Sequence, residues 1–243
     1  MNTAATEGYI RTFNRFELKY LIHYSQAQAL VRSMSPYLRT DANAGDGGYY
    51  KITSRYYDSP DLRCYWEKVN GERFRRKVRL RTYGNSPEKA FLEIKQRTNL
   101  SVQKRRSLHD LDTLEKQMQL MKRGEYVPGE EPVMDEVCNL VSRYRLEPKV
   151  IISYSRAAFF DQYRPDLRIT LDRNIKCRTL GLDLRRSDFG GRYVVPATMY
   201  ILEVKFNEVV PRWLCNCLNH HDLKVERVSK YCLGVEQMRL EQI

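Results

Sequence analysis

An antiparallel, strand-dominated α+β domain is the fold class this sequence predicts, and three observations predict it. Seven segments alternate apolar and polar residues with period two, the mark of half-buried strands. Segments with helical spacing fit between them. No internal repeat, low-complexity tract or long linker divides the 243 residues, so one domain over 1–243 is expected.

In chain order, the first strand covers 15–20, with Phe16, Leu18 and Tyr20 on one face. Ser25 is placed to cap a helix over 25–35. A strand over 52–57 precedes Ser59-Pro60, which opens a short helix through Glu67 with proline at its first position, where a missing N–H costs nothing. Strands over 73–83 and 90–97 follow. Helical spacing marks 113–123 and 132–145. Strands resume over 149–157, 167–172 and 199–206, and helices over 210–219 and 235–240 end the chain. Stretches 41–48, 83–88 and 124–132 are rich in Gly, Pro, Asn or Asp and read as loops.

Lys plus Arg is 42 and Asp plus Glu is 30, a formal charge of +12. A chain this basic wants an anionic partner. No apolar run approaches the roughly 20 residues that span a bilayer. Residues 1–15 lack an apolar signal core, so a cytoplasmic location is expected. The six cysteines form no CxxC pair. Cys215, Cys217, His220 and His221 lie close together, but on a helix only Cys217 and His221 share a face, so buried thiols are the better reading than zinc.

The polar faces of the strands carry the functional signal. Arg73, Arg75, Lys77, Arg79 and Arg81 alternate along one strand, so five cations share one face opposite Phe74, Val78 and Leu80. Glu17 and Lys19, Glu93 with Lys95 and Arg97, Arg168 with Asp172, and Glu203 with Lys205 repeat the arrangement on four more strands. The apolar faces need covering, and helices outside can cover them. If the sheet curls closed, the charged faces line a wet cationic interior. Cations at such density repel unless an anion neutralises them. A chain of phosphates suits: it is slender, highly charged and accepts bidentate arginine hydrogen bonds.

Glu17, Glu93 and Glu203 each stand two residues before a lysine on a strand. Each triplet sets a candidate ligand for a hard divalent metal beside a candidate phosphate clamp. Intrastrand charge pairing explains the same spacing, and the pattern alone leaves both readings open.

Taken in order, these residues resemble the VTC domain, the polyphosphate polymerase domain of the triphosphate tunnel metalloenzyme superfamily, in a stand-alone bacterial-type form. The resemblance rests on Arg15-Phe-Glu-Leu-Lys-Tyr20, Ser54-Arg-Tyr-Tyr-Asp-Ser59, Lys77-Val-Arg-Leu-Arg-Thr-Tyr-Gly84, Leu92-Glu-Ile-Lys95 and Lys104-Arg-Arg106. It continues through Tyr154-Ser-Arg-Ala-Ala-Phe159, Arg168-Ile-Thr-Leu-Asp172, Leu202-Glu-Val-Lys205 and Ser229-Lys-Tyr231. The fold it implies is an antiparallel β-barrel tunnel of about eight strands with helices packed outside. It implies tunnel cations at Lys19, Arg79, Arg81, Lys95, Arg156, Arg168 and Lys205, and a catalytic Lys230. It implies phosphate contacts at Arg15, Lys77, Lys104 and Ser229, with Arg105 competing for the place of Lys104. Glu203 is the implied ligand of Mn²⁺ or Mg²⁺.

The activity the resemblance implies is metal-dependent transfer of the terminal phosphoryl group of ATP to a growing polyphosphate chain. ATP and inorganic polyphosphate are then the partners. A triphosphate or polyphosphate hydrolase using the same tunnel is the alternative, and a non-catalytic polyanion-binding module is a third. Glu203 argues against the third, because a pure anion binder gains nothing from a carboxylate in its cradle. Nucleic acid is not an expected partner. Tyr56, Tyr57, Phe74 and Tyr83 sit beside cations as base stacking requires, but strand alternation sets Phe74 opposite the cations, as core.

Overall fold

The computed structural model of the protein describes residues 16–41, 47–85, 87–99, 101–129, 131–186 and 191–241. Strands and helices run β1 (Phe16–His23), α1 (Tyr24–Met34), β2 (Leu38–Thr40), β3 (Tyr50–Asp58), α2 (Arg63–Val69), β4 (Phe74–Tyr83), β5 (Lys89–Thr98) and β6 (Ser101–Asp110). They continue with α3 (Leu111–Arg123), α4 (Pro132–Tyr144), β7 (Glu147–Asp161), β8 (Arg168–Arg178), β9 (Arg192–Tyr193), β10 (Met199–Phe206), α5 (Arg212–His220) and α6 (Lys230–Leu240). No helix among the described residues is long and apolar enough to cross a membrane.

Every strand pairing is antiparallel, in the order β1-β10-β8-β7-β3-β4-β5-β6, with β2 on β7 and β9 on β8. The sheet is not closed by a ladder, yet it curls. Lys95 of β5 reaches Glu17 of β1 at 3.1 Å, across the gap between the two ends of the strand order. A right-handed twist accumulated over eight strands brings those ends together. The expected tunnel-like barrel is therefore the architecture present.

Two clusters of buried side chains cover the outside. Val78, Leu80, Leu92 and Ile94 of β4 and β5 pack against Leu114 and Met118 of α3 and Val137 and Leu140 of α4. Tyr20, Ile22, Ile169, Leu202 and Val204 pack against Leu30 and Met34 of α1 and Leu214 of α5. Fully burying each such side chain contributes roughly 1.5–3 kcal/mol. Beside these outer helices, a third cluster sets α6 on the inner face. Tyr231, Cys232 and Val235 of α6 pack against Ile52, Tyr56, Val150, Ile152 and Tyr154. Those strand positions share the face of Arg81 and Arg156, so α6 plugs the concave side at one end. Gly234 permits the approach: a Cβ there would stand 2.6 Å from Ile152 Cδ1 and 3.2 Å from Cys177 Sγ.

Local chemistry moved several boundaries. His23, not Ser25, caps α1: its ring accepts from the Ser25 N–H, and Gln26 Oε1 accepts from the His23 N–H. Pro60 lies in a turn and not in α2. Asp58 accepts from the N–H groups of Ser59, Cys64 and Tyr65, and Ser59 Oγ accepts from Arg63 N, so the cap spans a turn with Leu62 at φ 59°. β6 was not expected from the sequence. Its outer face is wholly polar, and on its inner face Lys104 and Arg106 stand between Val102 and Leu108 while Arg105 points to Glu136 on α4, so continuous apolar alternation does not mark it.

Candidate functional site: a charged tunnel

Strand alternation and register decide which side chains meet. Across β1, β10 and β8, Lys19 stands opposite Glu203, and Glu203 opposite Thr170; Glu17 stands opposite Lys205, and Lys205 opposite Arg168. Across β3, β4 and β5, Tyr56 faces Arg79 and Arg79 faces Glu93. Lys77, Lys95 and Lys104 form one row across β4, β5 and β6. All of these lie on the concave face.

Glu203, 5% exposed, is the centre of one wall. Its Oε1 lies 3.0 Å from Lys230 and 3.5 Å from Lys19, and its Oε2 2.9 Å from Lys205 and 3.4 Å from Arg156. Asp172, fully buried, accepts from Nε and one terminal nitrogen of Arg156 at 2.6 and 2.7 Å and lies 2.5 Å from the Lys230 ammonium. Glu17 bridges Lys19 and Lys95, at 3.1 Å each. On the other wall Glu93, 1% exposed, takes Arg79 at 2.6 Å and Lys104 at 2.5 Å. Arg79 also donates to the Tyr56 hydroxyl at 2.8 Å, and Arg81 to Ser54 and Tyr154.

The protonation pattern follows from this crowding. Burial alone would raise the Glu203 carboxyl, but Lys205, Lys230, Lys19 and Arg156 hold it well below the usual carboxylate range. Burial likewise opposes Glu93, and Arg79, Arg81 and Lys104 bring it down to about 2. Burial pushes Lys104 down to about 7, with Arg79 and Arg81 adding to the push and Glu93 resisting it. Lys205 is pushed down to about 8 by burial, against Glu203 and Glu17. The Tyr56 phenol, which burial would raise, falls to about 8 beside Arg79 and Arg81.

The structure brings Lys19, Arg79, Arg81, Lys95, Lys104, Arg156, Lys205, Lys230 and Glu203 onto one lumen. Lys77 lies there too, its ammonium 4.5 Å from the Tyr231 ring centre. Arg168 stands farther along, against Asp41 and Tyr50. Ser229 caps α6 through its hydroxyl, one residue before Lys230. Arg105 does not join them, which corrects the expectation that it competes with Lys104. It sits on the outer face, its guanidinium on both oxygens of Glu136, because adjacent strand residues point to opposite sides. Arg15 lies outside the described residues.

Sequence reasoning gave Tyr154 and Asp58 no role of their own and weighed Tyr56 only as a base-stacking platform. The tyrosines sit at positions that read as apolar strand, and only their hydroxyl partners mark them. Asp58 accepts from the Tyr231 hydroxyl as well as from α2, and so ties α6 to β3.

Among the described residues no group of three His, Cys, Asp or Glu could hold a metal by itself. A hard divalent ion that works on phosphates is held differently, by one or two carboxylates plus phosphate oxygens. The residues fit that mode. Glu203 supplies carboxylate oxygens, and Thr170, its register partner, carries a buried hydroxyl without a hydrogen-bond partner.

Comparison with known proteins gives the same direction. The family model described as the VTC domain matches residues 14–239. Vacuolar transporter chaperone complex subunit 4 of Schizosaccharomyces pombe is 26% identical over 98% of this chain. The chain spans 37% of that relative. A solved Hippeastrum structure, described as an adenylyl cyclase candidate with a dominant triphosphatase activity, superposes with TM-score 0.51 at 15% identity. It covers 91% of this chain and 95% of its own, and shows the shared fold.

Proposed function

The chain belongs to the VTC domain family, and from that premise we propose that it is a polyphosphate polymerase, moving the terminal phosphoryl group of ATP onto the end of a polyphosphate chain. The observation that carries the reading is the lumen itself. At least eight cationic side chains converge there, and buried carboxylates hold them in place.

Phosphoryl transfer needs positioning and charge stabilisation more than covalent chemistry. Arg79 and Arg81 supply planar forks for phosphate oxygens, and Lys95 and Lys104 supply point charges on the same wall. Arg156, held by Asp172, cannot swing away and so fixes the line along which phosphates stack. Lys230 enters from α6 and sets a buried ammonium between Asp172 and Glu203, where it would neutralise a phosphate brought to Glu203. As phosphates enter, Lys19 and Lys205 turn from Glu203 to phosphate oxygens, which frees its carboxylate. Glu203 and Thr170 would be the side chains that hold Mn²⁺ or Mg²⁺. When bound, the ion neutralises charge developing on the transferred phosphoryl group. An extended chain suits this lumen because one side-chain layer lines it, and a duplex about 20 Å across does not enter.

The test incubates the purified chain with ATP and manganese or magnesium and separates polyphosphate from free phosphate by chromatography. Long chains are expected. Free phosphate alone means that water is the acceptor and the protein is a hydrolase, and no metal-dependent turnover at all leaves a binding module.

A further inference from the structure

Glu93 has a place in the tunnel that neither metal binding nor core packing accounts for. It lies on the wall away from Glu203, flanked in register by Arg79 on β4 and Arg106 on β6. It is 1% exposed, yet its two oxygens are wholly given to tunnel cations. Oε2 accepts the Arg79 guanidinium edge-on, with both Nε and a terminal nitrogen at 2.6 Å, and lies 3.9 Å from Arg81 Nε. Oε1 lies 2.5 Å from Lys104 Nζ. Two anionic oxygens facing an arginine fork and an ammonium are what a phosphate group presents to the same residues.

Resting on the phosphate-tunnel reading above, we propose that Glu93 is an exchangeable counter-ion: it holds Arg79, Arg81 and Lys104 in a phosphate-shaped cradle while the tunnel is empty, and yields them when a phosphate arrives. The carboxylate keeps three converging cations charged and ordered in the free protein. It then competes with each phosphate for those cations. Competition weakens every single phosphate contact, and a tunnel that must let a chain advance needs contacts firm enough to hold and weak enough to release, as ion-conducting pores do. Glu93 is thus a positioning residue acting through Arg79 and Lys104.

The charge on Lys104 makes the exchange measurable. Facing it are Glu93 from β5, which favours its ammonium form, and Arg79 and Arg81 from β4, which oppose it. Lys95 stands beside it in register on β5. With Glu93 neutralised, nothing in this set favours the proton, so Lys104 loses it at lower pH.

The test measures tripolyphosphate binding by calorimetry on the full chain, without metal, from pH 6 to 9. Lys205, Tyr56 and the ligand's own terminal protons also titrate in this range, so each variant is read as its difference from the wild type at the same pH, and the Lys104 contribution is the loss of affinity centred near 7. Glu93→Gln is expected to bind tripolyphosphate at least about tenfold more tightly at pH 6, since a buried competing charge is gone. Its pH-dependent fall should move about one unit or more to the acid side, a shift that loss of a structural contact would not produce. In turnover, KM and kcat should fall together, as product leaves more slowly. Lys104→Met, whose side chain is 38% exposed and whose folding is checked by its thermal melt, should bind more weakly and lose the part of the bend centred near 7. Weaker binding by Glu93→Gln at every pH, or a pH profile near 7 that is the same in Lys104→Met as in the wild type, overturns the proposal. Absence of tripolyphosphate binding by the wild type overturns the phosphate-tunnel reading instead.

Discussion

Replacing Glu203 by Gln keeps the side chain's size and removes one buried negative charge from among Lys19, Arg156, Lys205 and Lys230, all within 3.5 Å. At an effective dielectric of about 20, unit charges about 3 Å apart attract by roughly 5–6 kcal/mol before desolvation is counted. The net cost of leaving a buried charge without its partner is about 3–5 kcal/mol. Asp172 still serves Arg156 and Lys230, and Glu17 still serves Lys19, so the lower end, about 3 kcal/mol, is expected. For a chain of this size that is a fall in Tm of roughly 6–12 °C. The substitution should therefore lower stability whether or not Glu203 also binds metal, and Tm alone does not separate the roles. Tripolyphosphate separates them. The uncovered cations should bind it at least as tightly as in the wild type without metal, and ligand at about 100 times Kd restores roughly 2.7 kcal/mol. Metal-dependent turnover should fall by a factor of about 10² or more. Differential scanning fluorimetry with and without tripolyphosphate, calorimetry and a turnover assay on one mutant decide it. Weakened metal-free binding together with retained turnover would refute the assignment of Glu203 as metal ligand.

Other consequences follow from the same contacts. Glu93 has its folded pKa depressed to about 2, so its contribution is full above the unfolded value near 4.3 and is lost as pH falls from about 5 to 2; Glu93→Gln should flatten that acid limb, worth about 3 kcal/mol, in urea melts taken against pH. Gly234→Ala should destabilise by about 1 kcal/mol although alanine favours a helix, because its Cβ meets buried Ile152 and Cys177, and it should weaken tripolyphosphate binding by shifting Lys230; a raised Tm would show that α6 has room to move. Arg105→Ala should leave tripolyphosphate affinity unchanged within twofold, since its guanidinium lies on Glu136 outside the barrel, whereas Arg79→Ala should weaken it at least about tenfold. Asp58→Asn should raise hydrogen exchange in α6 before it raises exchange in β10, since Asp58 holds the Tyr231 hydroxyl.

Much of this was present in one dimension. Alternation along 73–83 put Arg79 and Arg81 on one face and Val78 and Leu80 on the other, and the pairing of β4 with β5 obeys it. The strand over 199–206 has the bounds its pattern predicts, because one of its faces, Tyr200, Leu202, Val204 and Phe206, is wholly apolar while Glu203 and Lys205 mark the other. The E-x-K triplets likewise marked Glu17, Glu93 and Glu203 as lumen carboxylates. Where cations interrupt the apolar positions of a face, as Lys104 and Arg106 do between Val102 and Leu108 in β6, the period-two signal is lost although the strand forms, since backbone pairing with β5 needs no apolar face. Arg105 was misplaced for a related reason: neighbours in sequence are on opposite sides of a strand, and motif matching does not read parity.

What the sequence determined by itself is the set of charges and the face each occupies, because a strand's two-residue period is local geometry. What only the tertiary structure decided is which of those charges meet. The pairing of Glu17 with Lys95 depends on how far eight strands twist before their ends approach. The delivery of Lys230 to Asp172 and Glu203 depends on α6 lying inside the sheet, and its bulk fits there because Gly234 leaves space against Ile152. Those contacts join residues far apart in the chain through closure and packing, and neither has a signature in any short window of sequence.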